Sequence, residues 1–175
     1  MLVACLLLFA GCATVAPPRA AAPAAPAALA GRMTVQVDAT PSTEARNVTA
    51  TFDLQGSPDE GRLDLSTPLG TVLAQARWSP GRVALVTPQG ETRFASLDAL
   101  TREVLGESLP VAALFDWLRG RPWPGAPSTP RTEAGEPGFR QLGWLVSLAR
   151  FDQGLVSARR AEPPAVTVRA KLDRP

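Results

Sequence analysis

What most constrains this chain is an alternation of period two that runs from Gly31 to Ala95, punctuated at short intervals by glycine and proline. Side chains on a strand point alternately to opposite faces, so such a stretch folds as strands with one buried face. GRMTVQVD, Gly31 to Asp38, sets Met33, Val35 and Val37 against Thr34, Gln36 and Asp38. Arg46 to Gln55 repeats the pattern, with Val48, Ala50, Phe52 and Leu54 on one side. Gly56, Pro58 and Gly61 break the run, and Leu63 and Leu65 then alternate with Arg62, Asp64 and Ser66. After TPLG, Thr71 to Trp78 puts Val72, Ala74, Ala76 and Trp78 on one face. SPG and TPQG punctuate two further strands, Arg82 to Thr87 and Glu91 to Ala95. Connections this short join antiparallel neighbours, so the whole stretch predicts a meander.

The period changes at Ser96. SLDALTREVLG supplies a capping serine, an apolar face of Leu97, Leu100, Val104 and Leu105, and Gly106 as the stop. Pro110 opens a second helix, PVAALFDWLRG, lined on one side by Val111, Leu114, Phe115 and Leu118. RPWPGAPSTPRTEAGEPG reads as one long loop. Strands resume at Phe139 to Leu142, Trp144 to Phe151, Leu155 to Ala161 and Val166 to Leu172. The fold expected is mainly β with inserted helices: a strongly bent antiparallel sheet, an incomplete barrel with helices over its open side. A barrel of this size can enclose a small apolar ligand.

The residue types present narrow the chemistry. With 0 His and 0 Tyr, a Ser-His-Asp hydrolase and a zinc site both lack their usual parts. Ser66, Ser96 and Ser147 read as strand, cap and strand residues, and Lys171 lies in an alternating strand. Neither a phosphate-binding glycine loop nor a convergent acid and base pair stands out. The expectation is therefore not an enzyme, with no metal and no cofactor. With 18 basic and 16 acidic residues the charge is +2, too balanced to point to nucleic acid.

The beginning of the chain points to a compartment. Leu2 to Ala10 is an apolar run too short to cross a bilayer but suited to an export signal. Leu8, Phe9, Ala10 and Gly11 before Cys12 resemble a bacterial lipobox, in which the cysteine becomes the lipidated first residue. Phe9 stands where an aliphatic residue is more usual, and no Lys or Arg precedes the run. Ala13 to Leu29, alanine and proline with one charge, reads as a tether that reaches about 50 Å as extended polyproline II. The expected division is thus residues 1–11 as a cleaved signal, 12–29 as lipidated cysteine and tether, and 30–175 as one folded domain. The absence of aspartate at Ala13 and Thr14, the usual signal for inner-membrane retention, favours the outer membrane, with the body facing the periplasm.

With these parts in place, PLG at Pro68 to Gly70, LPVAALFDWLRGRP at Leu109 to Pro122 and GWLVSLARFD at Gly143 to Asp152 resemble one family, the LolB outer-membrane lipoprotein receptors of Gram-negative bacteria. The resemblance runs from about Gly31 to Pro175. It implies an unclosed eleven-stranded antiparallel barrel with a helical lid over an apolar cavity. It also implies a function without nucleotide or metal: accepting triacylated lipoproteins from the periplasmic carrier LolA and inserting them into the outer membrane. The partners implied are LolA, the acyl chains of cargo lipoproteins and outer-membrane phospholipid. The family carries a protruding leucine between its third and fourth strands, needed to release cargo, and Leu69 matches it, held between Pro68 and Gly70. Exposed leucines are also common for no reason. Candidates to line the cavity are Phe52, Leu54, Leu63, Leu65, Trp78, Leu114, Phe115, Trp117, Leu118, Trp144 and Val146, and the sequence does not separate cavity lining from packed core. The competing reading is a structural or assembly lipoprotein that uses its sheet to bind a protein partner.

Overall fold

The computed structural model describes residues 28–131 and 136–173. The signal segment, Cys12 and the tether up to residue 27 lie outside the described residues.

The alternating stretch folds as six strands: β1 Leu29–Val37, β2 Arg46–Gly56, β3 Gly61–Ser66, β4 Val72–Ser79, β5 Arg82–Thr87 and β6 Gly90–Phe94. Leu29, assigned to the tether from sequence, is instead the first residue of β1 and pairs with Leu54. Two helices follow, α1 Leu97–Leu105 and α2 Val111–Trp117, and then β7 Ser128–Pro130, β8 Gly138–Gln141, β9 Trp144–Ser147, β10 Leu155–Arg160 and β11 Val166–Leu172. All pairings are antiparallel, in one 11-stranded sheet ordered β6-β5-β4-β3-β2-β1-β11-β10-β9-β8-β7. The ends of the chain therefore meet in the middle of the sheet, where β1 runs beside β11 from Gly31↔Leu172 to Val37↔Val166. Strands β6 and β7 are its two edges and do not pair with each other, so the barrel is unclosed as expected.

The inner face carries Val35 and Val37 from β1, Phe52 and Leu54 from β2, Trp78 from β4, Val146 from β9 and Val168 from β11, all in one buried cluster. Such a face cannot be left wet, and the helices cover it. Ser96 caps α1 by accepting a hydrogen bond from the Ala99 amide at 3.1 Å, and Gly106 ends it in the left-handed region at φ 81°.

Several sequence expectations are corrected by the packing. Val104, placed on the apolar face of α1, is exposed, and the buried position is taken by Thr101. The Thr101 hydroxyl accepts the Leu109 amide at 3.0 Å, so a polar side chain closes the link between the helices. Helix α2 does not have one wet side: Val111, Ala113, Phe115, Asp116 and Trp117 are all buried. The strand expected to run from Trp144 to Phe151 stops at Ser147, and Phe151–Gln153 forms a 3-10 turn ended by Gly154 at φ 76°. Leu148 and Phe151, beyond the end of the strand, are half-buried and still pack against the core. Leu142, expected at the end of a strand, instead lies in the β8–β9 turn with Gly143, at φ 52° and 78°. The long loop contains β7, whose Ser128–Pro130 pairs with Phe139–Gln141 of β8. A fully exposed three-residue edge strand containing proline carries no alternation to read.

Candidate functional site

The eleven cavity candidates fall into two groups. Phe52, Leu54, Trp78, Phe115, Trp117, Leu118, Trp144 and Val146 are buried, while Leu63, Leu65 and Leu114 are half-buried against them. All eleven thus belong to one apolar assembly between the sheet and the helices. Helix α2 fills its middle. Phe115 meets the Trp78 ring edge-on, with centroids 5.8 Å apart. Trp117 contacts Phe139 at 6.4 Å and Trp144 at 6.0 Å. Edge-to-face and tilted contacts of this kind suit aromatic quadrupoles and add to the area buried.

A polar knot holds α2 in that position, and no periodicity or motif marks it. Gln141, on β8 and buried, accepts from the Trp117 indole N–H at 2.7 Å and from the Trp123 amide at 2.9 Å. Its own amide nitrogen donates to the carbonyl oxygens of Trp123 and Ala126, both at 2.7 Å. Every hydrogen-bonding group of that side chain is therefore engaged, as a buried amide requires. Asp116 faces the other way and pairs with Arg121 at 2.7 Å.

A concave surface lies elsewhere, near the β2–β3 and β4–β5 turns. It encloses about 1280 Å³ and is charged: Arg62, Arg77, Arg82 and Arg93 line it with Glu60 and Glu91. Ladder pairing explains the arrangement, since Arg62 is directly opposite Arg77, Arg77 opposite Ala84, and Ala84 opposite Arg93.

At the far end of the same hairpin is the turn that carries Leu69. The Gly70 amide donates to the Thr67 carbonyl at 2.9 Å, and the Thr67 amide to the Thr71 carbonyl at 2.9 Å. Gly70 sits at φ 86°, where a side chain is disfavoured. Pro68 and Gly70 thus close a three-residue hairpin loop around Leu69. Leu69 is 96% exposed, the extreme among the large apolar residues described. Two exposed residues next to it escaped the sequence reading. Val72, expected on the inner face, is 60% exposed, and Leu73 is 41% exposed. The register explains Val72: Leu65 pairs with Ala74, but Ser66 pairs with Val72, so β4 carries an extra residue there.

An eleven-stranded sheet that curls without closing, holds helices against an apolar inner face and projects an apolar turn defines an open-barrel protein with a helix-covered interior. The comparisons make the class specific. The family model described as outer membrane lipoprotein LolB matches residues 28–172. The outer-membrane lipoprotein LolB of Chromobacterium violaceum is 31% identical over 86% of this chain and 81% of the relative. That of Cupriavidus pinatubonensis is 37% identical over 90% of this chain and 78% of the relative. That of Bordetella petrii is 39% identical, over 67% of this chain and 64% of the relative. The chain belongs to the LolB family of outer-membrane lipoproteins.

Proposed function

We propose that this protein is anchored to the outer membrane by a lipid on Cys12, accepts triacylated lipoproteins from LolA, and places them in the membrane. The family supports lipoprotein handling, and the observation that carries the finer reading is the contrast inside one fold between an apolar interior and a single rigid apolar turn. Acyl chains take the space that Phe115, Trp117 and Leu118 of the α2 segment fill, so uptake displaces apolar side chains by apolar chains. Leu69 touches the bilayer at release. Burying one leucine is worth about 1.5 to 3 kcal/mol, enough to steer a lipid contact and too little to anchor a protein. Anchoring falls to the lipid on Cys12. No bond is made or broken in the transfer, and its direction follows from differential affinity for the acyl chains along the route.

The test is transfer without nucleotide. The protein, with Cys12 replaced, is mixed with LolA loaded with a radiolabelled lipoprotein, and the label is followed by co-purification. Movement of label onto the protein supports the reading. Retention on LolA, with both proteins folded, refutes it and favours a structural lipoprotein.

A further inference from the structure

We propose that the membrane-inserting unit is the whole end of the β3–β4 hairpin, with Val72 and Leu73 acting beside Leu69. This rests on the reading of Leu69 as a membrane contact and enlarges it from one side chain to a wedge.

The first support is the bulge. In an uninterrupted strand one of two neighbouring residues faces inward, so Val72 and Leu73 would not both meet solvent. The extra residue opposite Ser66 breaks that rule and leaves both exposed beneath the Leu69 turn. The second support is charge: Leu65 to Ala74, LSTPLGTVLA, contains no Asp, Glu, Lys or Arg, whereas Asp64 and Arg77 stand just beyond it.

The third is that several polar groups at the base of the hairpin end are paired within the hairpin and with β2. The Thr71 amide donates to the Thr67 hydroxyl oxygen at 3.1 Å. Thr51, on β2, donates its hydroxyl to the Ser66 carbonyl at 2.9 Å and lies 2.7 Å from the Ser66 hydroxyl. With the two backbone bonds across the turn, the tip carries its own hydrogen bonds. Such pairing lowers the cost of entering an apolar layer, where no water replaces a missing partner. An interfacial depth of roughly 5 to 10 Å is within reach of a hairpin that rises about 3.3 Å per residue from Leu73 to Leu69.

The decisive experiment uses the lipidated protein in vesicles of phosphatidylethanolamine and phosphatidylglycerol. Single cysteines at positions 69, 72, 73 and, as control, 59 carry an environment-sensitive fluorophore, and lipids spin-labelled on their acyl chains act as quenchers. Labels at 69, 72 and 73 are expected to be quenched several-fold more than the label at 59. Quenching at 69 alone overturns the wedge and leaves the single-leucine contact standing. No lipid quenching at any position overturns both. A blue-shifted label at 72 or 73 that lipid does not quench overturns the wedge in favour of a protein groove. In parallel, Val72→Asn with Leu73→Asn, keeping Leu69, is expected to slow lipoprotein release about tenfold at unchanged melting temperature, the equivalent of about 1.4 kcal/mol. Unchanged release in that variant also overturns the proposal.

Discussion

Leu69 and Trp117 are both large apolar residues, yet one is 96% exposed and the other 0%. Trp117 uses its surface in folding, inside a cluster with Phe139 and Trp144, and has its one polar atom bonded to Gln141. Leu69 contributes almost nothing to that cluster and is held out by a turn with its own hydrogen bonds. The contrast teaches that the residues that stabilise the fold and the exposed apolar turn lie in different parts of it, so stability and the function proposed for the turn are separable by mutation.

The sharpest break of this contrast is Trp117→Ala, expected to cost about 3 to 5 kcal/mol in denaturant unfolding, because it leaves a cavity at the centre of the assembly. A variant as stable as the parent would mean that α2 is not part of the stabilising core. Gln141→Ala comes next, at about 2 to 3 kcal/mol, since it orphans the Trp117 indole and the backbone groups of Trp123 and Ala126. Its thermal melt checks this, and a neutral result would mean water replaces the amide. Ser96→Ala removes the cap of α1 and is expected to cost about 1 kcal/mol. Leu69→Glu is the smallest for stability, within about 0.5 kcal/mol. The same variant is expected to keep lipoprotein uptake and lose release to vesicles, and unfolding in it would remove the separation altogether.

How far the sequence could be read follows the same division. Arg82 to Thr87 and Val166 to Leu172 match their strands because short alternating runs between turn residues have one consistent solution. Ser96 and Gly106 mark α1 because cap chemistry is local. Helix α2 was read as one-sided because amphipathic reasoning assumes a wet face, and in a barrel interior there is none. β7 was missed because edge pairing of Ser128–Pro130 depends on β8, not on its own pattern. Leu69 was legible, since Pro68 and Gly70 announce the turn, but the exposure of Val72 was not. That exposure comes from a register shift between two strands, which neither strand encodes alone.

Leu29, Leu54 and Leu63 stand side by side across β1, β2 and β3, so the chain enters the sheet at the arginine-lined end, while Leu69 lies six residues further along β3 and its turn. That is a separation of roughly 15 to 20 Å along the hairpin. A mooring line fixed to the hull at the stern must be long enough to let the bow touch the quay. A segment of about fifteen residues extended as polyproline II reaches about 45 Å, more than the hairpin demands. On the function proposed above, slack in that line, and not merely its attachment, sets whether an anchored body can turn its apolar tip toward the bilayer that holds it.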